Sequence, residues 1–261
     1  MVFWHLALLV IASILSVINS SSPSISILQA MVLLGALACA VYLFAVRPDR
    51  IWYGARAVAE SIKTATWRFM SVAEPFQGPT EEARHQFRNL LKSIVDQNRE
   101  VTQRLTRFLD EQQITDEMLH HRVEPFEVRI REYLKQRITE QQGWYAKKAA
   151  FNRRMATSFF VALIVVNTFA IGFAIARVHF ATAAYWPTDV LIAMSAGLLA
   201  WLQSKRFSEL ASSYALAAHE ISLIKEQSSF VGTDVAFSRF VGDAENAFSR
   251  EHTQWVARKD E

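Results

Sequence analysis

The chain has 261 residues, 51% of them hydrophobic, and a net charge of +3 from 28 Lys and Arg against 25 Asp and Glu. That mixture of signs excludes the concentrated basic stripe of a nucleic-acid-binding domain. The single cysteine, Cys39, excludes a disulfide framework or a cysteine-rich metal site. The apolar residues gather in blocks with the charges between and after them, a segregation that points to a bilayer and not to a soluble core, where the two alternate throughout.

The first block, Val2 to Ile18, ends in Asn19-Ser20-Ser21-Ser22-Pro23-Ser24. A signal peptide over residues 1 to 24 is the rival reading, but the segment lacks a basic leader and an evident small-residue cleavage site. The second block, Ile25 to Val46, stops at Arg47-Pro48-Asp49-Arg50. The helix is expected to continue into Trp52–Val72, where Arg56, Glu60 and Lys63 can pair at helical spacing. Pro75, Gly78 and Pro79 then break the chain, and a new helix starts near Thr80 with Glu81 and Glu82 in its first turn. Phe87, Leu91, Ile94, Val101, Leu105 and Phe108 form a heptad-like seam interrupted by Asn98. Thr115 to Val123 is a shorter helix, opened by a cap and two acids.

From Pro125 no breaker occurs until after the third apolar block, Met155 to Ala176. One rod of about 50 residues would reach roughly 75 Å, with Phe126, Ile130, Tyr133, Ile138 and Tyr145 near one face. The fourth block, Ala183 to Leu202, reaches roughly the 20 residues a crossing needs. Tyr185 and Trp186 mark its outer end, Trp201 its inner end, and Thr188 or Asp189 can cap its start. Phe207, Leu210, Tyr214, Ala217, Ile221 and Ile224 then carry an unbroken seam. After a turn at Ser228–Thr233 a last helix bears Phe237, Phe240, Val241, Ala244, Phe248 and Trp255.

Basic residues orient the blocks. Arg47, Arg50 and Arg56 follow the second, Lys147, Lys148, Arg153 and Arg154 precede the third, and Lys205 and Arg206 follow the fourth. The positive-inside rule puts the long middle segment and both termini in the cytoplasm. The expected fold is an all-α membrane protein with four transmembrane helices in two hairpins, whose long cytoplasmic helices form a helical bundle or coiled-coil stalk. Its expected parts are an N-terminal hairpin with a juxtamembrane helix (1–76), connecting helices (77–123) and a C-terminal two-transmembrane domain (124–261). The halves read as loose repeats, with Tyr53 and Glu60 answering Tyr214 and Glu220.

No motif for catalysis is present: no phosphate-cradling Gly-rich loop, no His-Glu zinc helix, no nucleophile elbow. No catalytic residue, cofactor or metal site is therefore assigned. His120 and His121 are adjacent, so their side chains diverge on a helix. Glu245 and His252, seven apart, are read as a solvated helix edge. No Asp, Glu, Lys or Arg lies mid-block, as a proton pump would need. Asn167 and Thr168 could line a pore or bond a neighbouring helix, and the second is the default. Small residues four apart (Gly35 with Cys39, Gly172 with Ala176, Ala193 with Gly197, Ala196 with Ala200) permit close helix contact. Asp189 would form an acidic ring in a symmetric assembly, or simply cap its helix.

Two stretches carry a family resemblance. Trp52 to Thr64, Trp67-Arg68-Phe69 and Glu74-Pro75-Phe76 resemble one subtype of the SLATT domain, the SMODS and SLOG-associating two-transmembrane effector. Tyr133-Leu134 to Arg137, Gln141 to Tyr145, Trp201 to Phe207, Tyr214 to Glu220, Phe240-Val241 with Glu245, and Ser249 to Trp255 resemble a second subtype. Nearly the whole chain is covered apart from residues 80 to 120. The resemblance marks Trp52, Tyr53, Arg56, Glu60, Lys63, Trp67, Trp144, Tyr145, Tyr214, Glu220, Glu251, His252 and Trp255 as structural or gating residues.

What the resemblance implies is a pore-forming effector of a bacterial defence system, opened through its cytoplasmic helices, in the bacterial inner membrane. The implied partners are the lipid bilayer, further copies of the chain in a homo-oligomer, and a nucleotide-signalling or sensor protein. Nucleic acid is not among them. The chain begins almost at its first apolar block, so any cytoplasmic segment before that block is missing. The alternative is a membrane-anchored helical scaffold that recruits a soluble partner.

Overall fold

The structure, a computed structural model, describes residues 1–18, 23–103, 112–180 and 186–257; side chains are described over the same residues except 49, 100, 101 and 249–257. Every described element is a helix. In chain order these are α1 (Val2–Ile18), α2 (Pro23–Val46), α3 (Pro48–Met70), α4 (Thr80–Gln97), α5 (Arg99–Thr102), α6 (Asp116–Val123) and α7 (Phe126–Glu132). A π-helical turn (Tyr133–Thr139), α8 (Glu140–His179), α9 (Thr188–Lys205), α10 (Phe207–Gln227), a 3-10 turn (Ser228–Phe230) and α11 (Asp234–Ala257) complete the order. The chain divides into a first unit, residues 1–47 and 148–213, and a second unit, residues 48–147 and 214–261.

In the first unit α1 packs against α2 and α9. Small residues set these contacts. Ala12 and Ala36 are buried; a Cβ on Gly35 would lie 3.5 Å from Leu8 Cδ1, and one on Gly197 would lie 4.0 Å from Val10 Cγ2. Gly172, by contrast, meets nothing within 4 Å. Polar side chains reach backbone oxygens of neighbouring helices: His5 Nδ1 lies 2.9 Å from Ala36 O, and Gln29 donates to Ala12 O at 3.2 Å. The large apolar residues point outward, Phe44 being 78% and Ile171 61% exposed. α2 and the 54-residue run Phe126–His179 are long and apolar enough to cross a membrane. α1, with 17 residues, is a shorter apolar helix. α9 has 18 residues, about 27 Å against a hydrocarbon core of about 30 Å.

In the second unit α3 is the hub, contacting α4, α6 and α11. One core cluster joins Phe69, Phe76 and Phe87, with ring centroids 5.0 to 5.9 Å apart, to Ala65 and Ala83. Arg122 closes it. Its guanidinium donates to Phe69 O (2.6 Å), Phe76 O (2.7 Å) and Gly78 O (2.8 Å), satisfying carbonyls freed where α3 ends. Arg129 does the same for Ser71 O at 2.8 Å and pairs with Asp234. A second cluster gathers Trp67, Tyr133, Phe237 and Phe240 edge to face.

Five sequence expectations change. The rod from α2 into α3 is broken at Arg47, whose φ of 44° is left-handed; Pro48 disfavours a helical residue before it. The run from the fourth block into the seam is likewise broken, at Arg206 with φ 50°, whose N–H closes α9 onto Leu202 O at 3.0 Å, while the seam from Phe207 to Ile224 itself lies whole within α10. The seam through Asn98 divides into α4 and α5, because the Asn98 amide turns back to Ile94 O at 2.8 Å. Val101's side chain, Leu105 and Phe108 lie outside the described residues. The fourth apolar helix begins at Thr188, with no side-chain cap bond from Pro187, and neither Thr188 nor Asp189 occupies the cap position. Ala183, Ala184 and Tyr185 fall outside the described residues. Glu245 is the fifth correction and is taken up below. The single long helix from Phe126 stands as expected, with a π turn inside it.

Candidate functional site

One face of α3 carries Trp52, Arg56, Glu60, Thr64 and Arg68, each four residues after the last, so they line up along the helix. The second unit builds its polar interior on this stripe. At the stripe's start, Arg56 lies over the rings of Trp52 (5.7 Å) and Trp144 (5.5 Å) and donates to the Tyr214 hydroxyl at 3.3 Å. Trp144, Tyr145 and Tyr214 pack edge-on or tilted against one another with centroids 5.0 to 5.8 Å apart, and Tyr53 packs edge-on to Trp52 at 4.8 Å. The indoles form an open rim, Trp52 being 54% and Trp144 38% exposed, while Tyr145 and Tyr214 are buried.

One to two turns further on the stripe meets a buried ion pair. Arg137, fully buried in the π turn, grips fully buried Glu245 of α11 with two parallel bonds, Nε to Oε1 at 2.8 Å and Nη2 to Oε2 at 2.7 Å. The remaining lone pairs of Glu245 are filled by the Tyr133 hydroxyl (3.0 Å) and the Thr64 hydroxyl (2.8 Å). Arg137 stacks on Phe248 at 4.6 Å, and its third nitrogen faces Glu60 at 3.9 Å. Burial, then the adjacent Glu245 carboxylate, pushes the Tyr133 phenol well above its usual range, so it stays protonated and donates. Burial alone would lower Arg137, but the bonds and charge of Glu245 outweigh it. Lys63 extends the network at the surface, donating to Gln141 at 3.2 Å.

The reading of Glu245 as a solvated edge is thus overturned. Its helix buries Phe237, Val241, Ala244 and Phe248, and position 245 lies on that same stripe. A charge on a buried stripe needs a partner. Arg137, one helical turn after buried Tyr133, supplies it. Two opposite charges, each sitting on an apolar face, are the sequence signal that marks such a pair.

Of the residues marked from sequence, Trp52, Tyr53, Arg56, Trp144, Tyr145 and Tyr214 come together in the aromatic cluster, and Glu60 and Lys63 border the ion pair. Trp67 is nearly buried against Tyr133 (5.7 Å) and His121 (6.3 Å). Glu220 is exposed on α10. The side chains of Glu251, His252 and Trp255 lie outside the described residues. In the first unit Asn167 donates to Ser195 of α9 at 2.8 Å, the helix-bonding alternative. Thr168 donates to Ile164 O of its own helix at 2.9 Å, and the Asp189 carbonyl accepts from Ser13 at 3.3 Å. Among the described residues no group of His, Cys, Asp and Glu could hold a metal ion.

Residues 1–130 match SMODS and SLOG-associating 2TM effector domain 3, and residues 133–255 match SMODS and SLOG-associating 2TM effector domain 1. The chain belongs to the SLATT family. SLATT domains are effector domains associated with defence systems. No curated protein and no solved structure matches the chain. The family boundaries give the site a meaning that the contacts alone lack. Trp52, Arg56, Glu60 and Thr64 belong to the first SLATT domain, and Arg137, Trp144, Tyr214 and Glu245 to the second. The Arg137–Glu245 pair is thus internal to the second SLATT domain, while the contacts of Arg56 with Trp144 and Tyr214, of Thr64 with Glu245 and of Glu60 with Arg137 join the two domains within one chain.

Proposed function

We propose that this SLATT tandem is a membrane pore-forming effector of a bacterial defence system, a homo-oligomer held closed at rest and opened through the helices of its second unit. The observation that carries the reading is the cross-domain lock. α3, α8 and α10 each pass within a few residues of a unit boundary, at Pro48, Lys147 and Tyr214, and the Arg56 cluster ties those three helices together. A signal that loosens this cluster acts on three connections to the apolar helices at once.

The π turn offers a way to convert such a signal. It holds one residue more than an α turn, and π turns inside α-helices concentrate at functional positions. Relaxing it to α would rotate the helix beyond it by about 100°. That helix is the one that runs on into the third apolar block.

In this reading four helices cross the bacterial inner membrane, both termini are cytoplasmic, the spans conduct, and no chemistry is catalysed. A nucleotide-signalling or sensor protein supplies the trigger. The test is planar-bilayer conductance of the purified full chain, compared with Arg56→Ala. Discrete channel steps are expected, more frequent in the variant because its lock is weakened. Silence of both proteins, with no dye release from vesicles, would sink the pore.

The scaffold reading has one observation in its favour: Leu216 and Leu223, seven apart on α10, are 62% and 63% exposed. It predicts that unrelated hydrophobic helices can replace the apolar blocks without loss of activity, whereas the pore reading predicts complete loss.

A further inference from the structure

The left-handed break at Arg206 opens a cavity in the first unit. α9 ends at Lys205 and α10 starts at Phe207 in a new direction, leaving a cavity of about 440 Å3 against the start of the third apolar block. Its walls are apolar where Ala156, Phe160, Leu202 and Phe207 contribute, and Phe159 and Phe207 stack nearly parallel at 5.7 Å beside it. Its mouth is polar, with Thr157, Ser208 and Arg206, the last paired with Glu209.

Glu209 apart, the charges close to the mouth in sequence are basic. Arg153 lies one turn before Thr157, on the stripe that continues through Ala156 and Phe160. Arg154 adjoins Arg153 and Lys205 adjoins Arg206 in sequence, and Lys205 sits over Trp201 at 4.7 Å. Glu209 is the only acid in this unit besides Asp189, which begins the opposite end of α9. The volume lies within the roughly 300–1,000 Å3 of small-molecule sites. An apolar slot with Arg206 in its lining and further basic residues beside it in sequence, at the end of a membrane helix, matches one chemistry, an acyl chain joined to an anionic phosphate.

We propose that this cavity binds an anionic phospholipid, with one acyl chain between Phe160 and Phe207 and the headgroup phosphate held by Arg206 and Arg153. The phosphate replaces Glu209 as the partner of Arg206. The proposal rests on the membrane reading above and commits to a lipid, because a free phosphate would leave the apolar walls empty.

The experiment uses the full chain in nanodiscs of phosphatidylcholine carrying a trace of photo-crosslinkable, diazirine-acyl phosphatidylglycerol. Crosslinks are expected on peptides spanning Ala156–Phe160 and Leu202–Glu209. Unlabelled phosphatidylglycerol should compete; added phosphatidylcholine or inorganic phosphate should not. Arg206→Gln should reduce the competed signal roughly fivefold, and Arg153→Gln by a similar factor. Glu209→Gln should raise it, since the guanidinium loses its internal rival. Ala156→Trp fills the cavity and leaves every charge in place, so it should abolish labelling even if the arginine variants insert poorly.

Equal labelling by phosphatidylcholine and phosphatidylglycerol, or labelling indifferent to Glu209→Gln and Ala156→Trp, overturns the site. Extraction of the chain from vesicles by alkaline carbonate overturns instead the membrane reading beneath it.

Discussion

The two units solve opposite problems with the same helix. In the first, large apolar side chains such as Phe44 and Ile171 face outward, and the contacts between helices are made by Ala12, Gly35, Ala36 and Gly197. In the second, Phe69, Phe76, Phe87, Tyr133 and Phe237 face inward and full charges, Arg137 and Glu245, lie at the centre. Association in a bilayer has no hydrophobic drive between helices, so close approach and hydrogen bonds hold them. The second unit buries its apolar faces against water and afterwards adds an ion pair that fixes which helices meet. The difference teaches where single changes will be costly: at the charges of the second unit, and hardly at all on the outer face of the first.

The largest effect is expected at Glu245. Glu245→Ala leaves Arg137 buried with only Glu60 near it, and should cost the second unit about 3–5 kcal/mol in a denaturant titration followed by tryptophan fluorescence. Replacing both charges, as in Glu245→Met with Arg137→Met, should recover most of that loss. A double variant as unstable as the single one would show that the packing around Phe248, and not the unpaired charge, sets the cost. Next comes Arg122→Met, which takes the guanidinium from the carbonyls of Phe69, Phe76 and Gly78 and leaves that of buried Phe76 without this donor. About 2–3 kcal/mol is expected by the same titration, and a neutral result would mean that water replaces the guanidinium.

Smaller effects sharpen the comparison. Arg56→Lys keeps the charge but gives up the guanidinium placed over two indoles, and should cost about 1 kcal/mol. In the first unit, Asn167→Val removes the bond to Ser195, and a double-mutant cycle with Ser195→Ala should give a coupling of about 0.6 kcal/mol. A coupling there larger than that at Arg56 would reverse the contrast between the units.

Composition made the first unit legible. Apolar blocks and flanking arginines locate α1, α2, the third block within α8, and most of α9, because a bilayer demands long uninterrupted runs. The breaks were not legible. Arg47 and Arg206 adopt left-handed backbone immediately after an apolar helix, a place where glycine or asparagine is the usual signal. That both SLATT halves break at an arginine in this way supports the repeat that the sequence only hints at.

In the second unit the family motif picked out Trp52, Arg56, Trp144, Tyr145 and Tyr214, which do meet. Periodicity put Tyr145 and Tyr214 on buried faces but could not show that they meet, since an aromatic on a helix face reads as core wherever it falls. Glu245 was misread because each helix was judged alone. Its acid looks like an edge residue until α11 is set beside the π turn, where Arg137 waits on an equally apolar stripe.

The smallest predicted effect is one of pH. His121 is half-buried beside Trp67, and its Nε2 is shielded from water with no hydrogen-bond partner. Burial pushes its pKa below the ordinary histidine value. The charges around it partly cancel, Glu132 and Glu124 raising it while Arg129 and His120 lower it. The folded chain therefore takes up this proton at lower pH than the unfolded chain does. Between the two values the unfolded state holds more protons, so stability rises with pH. His121's contribution is complete above about 6.5, the unfolded value, and is lost as pH falls from there toward the folded value. Denaturation midpoints measured from pH 7.5 down to 5.5 should fall for the wild-type chain and fall less for His121→Phe, which keeps the ring against Trp67. Parallel pH slopes for the two proteins would assign the acid sensitivity of the second unit to its carboxylates instead.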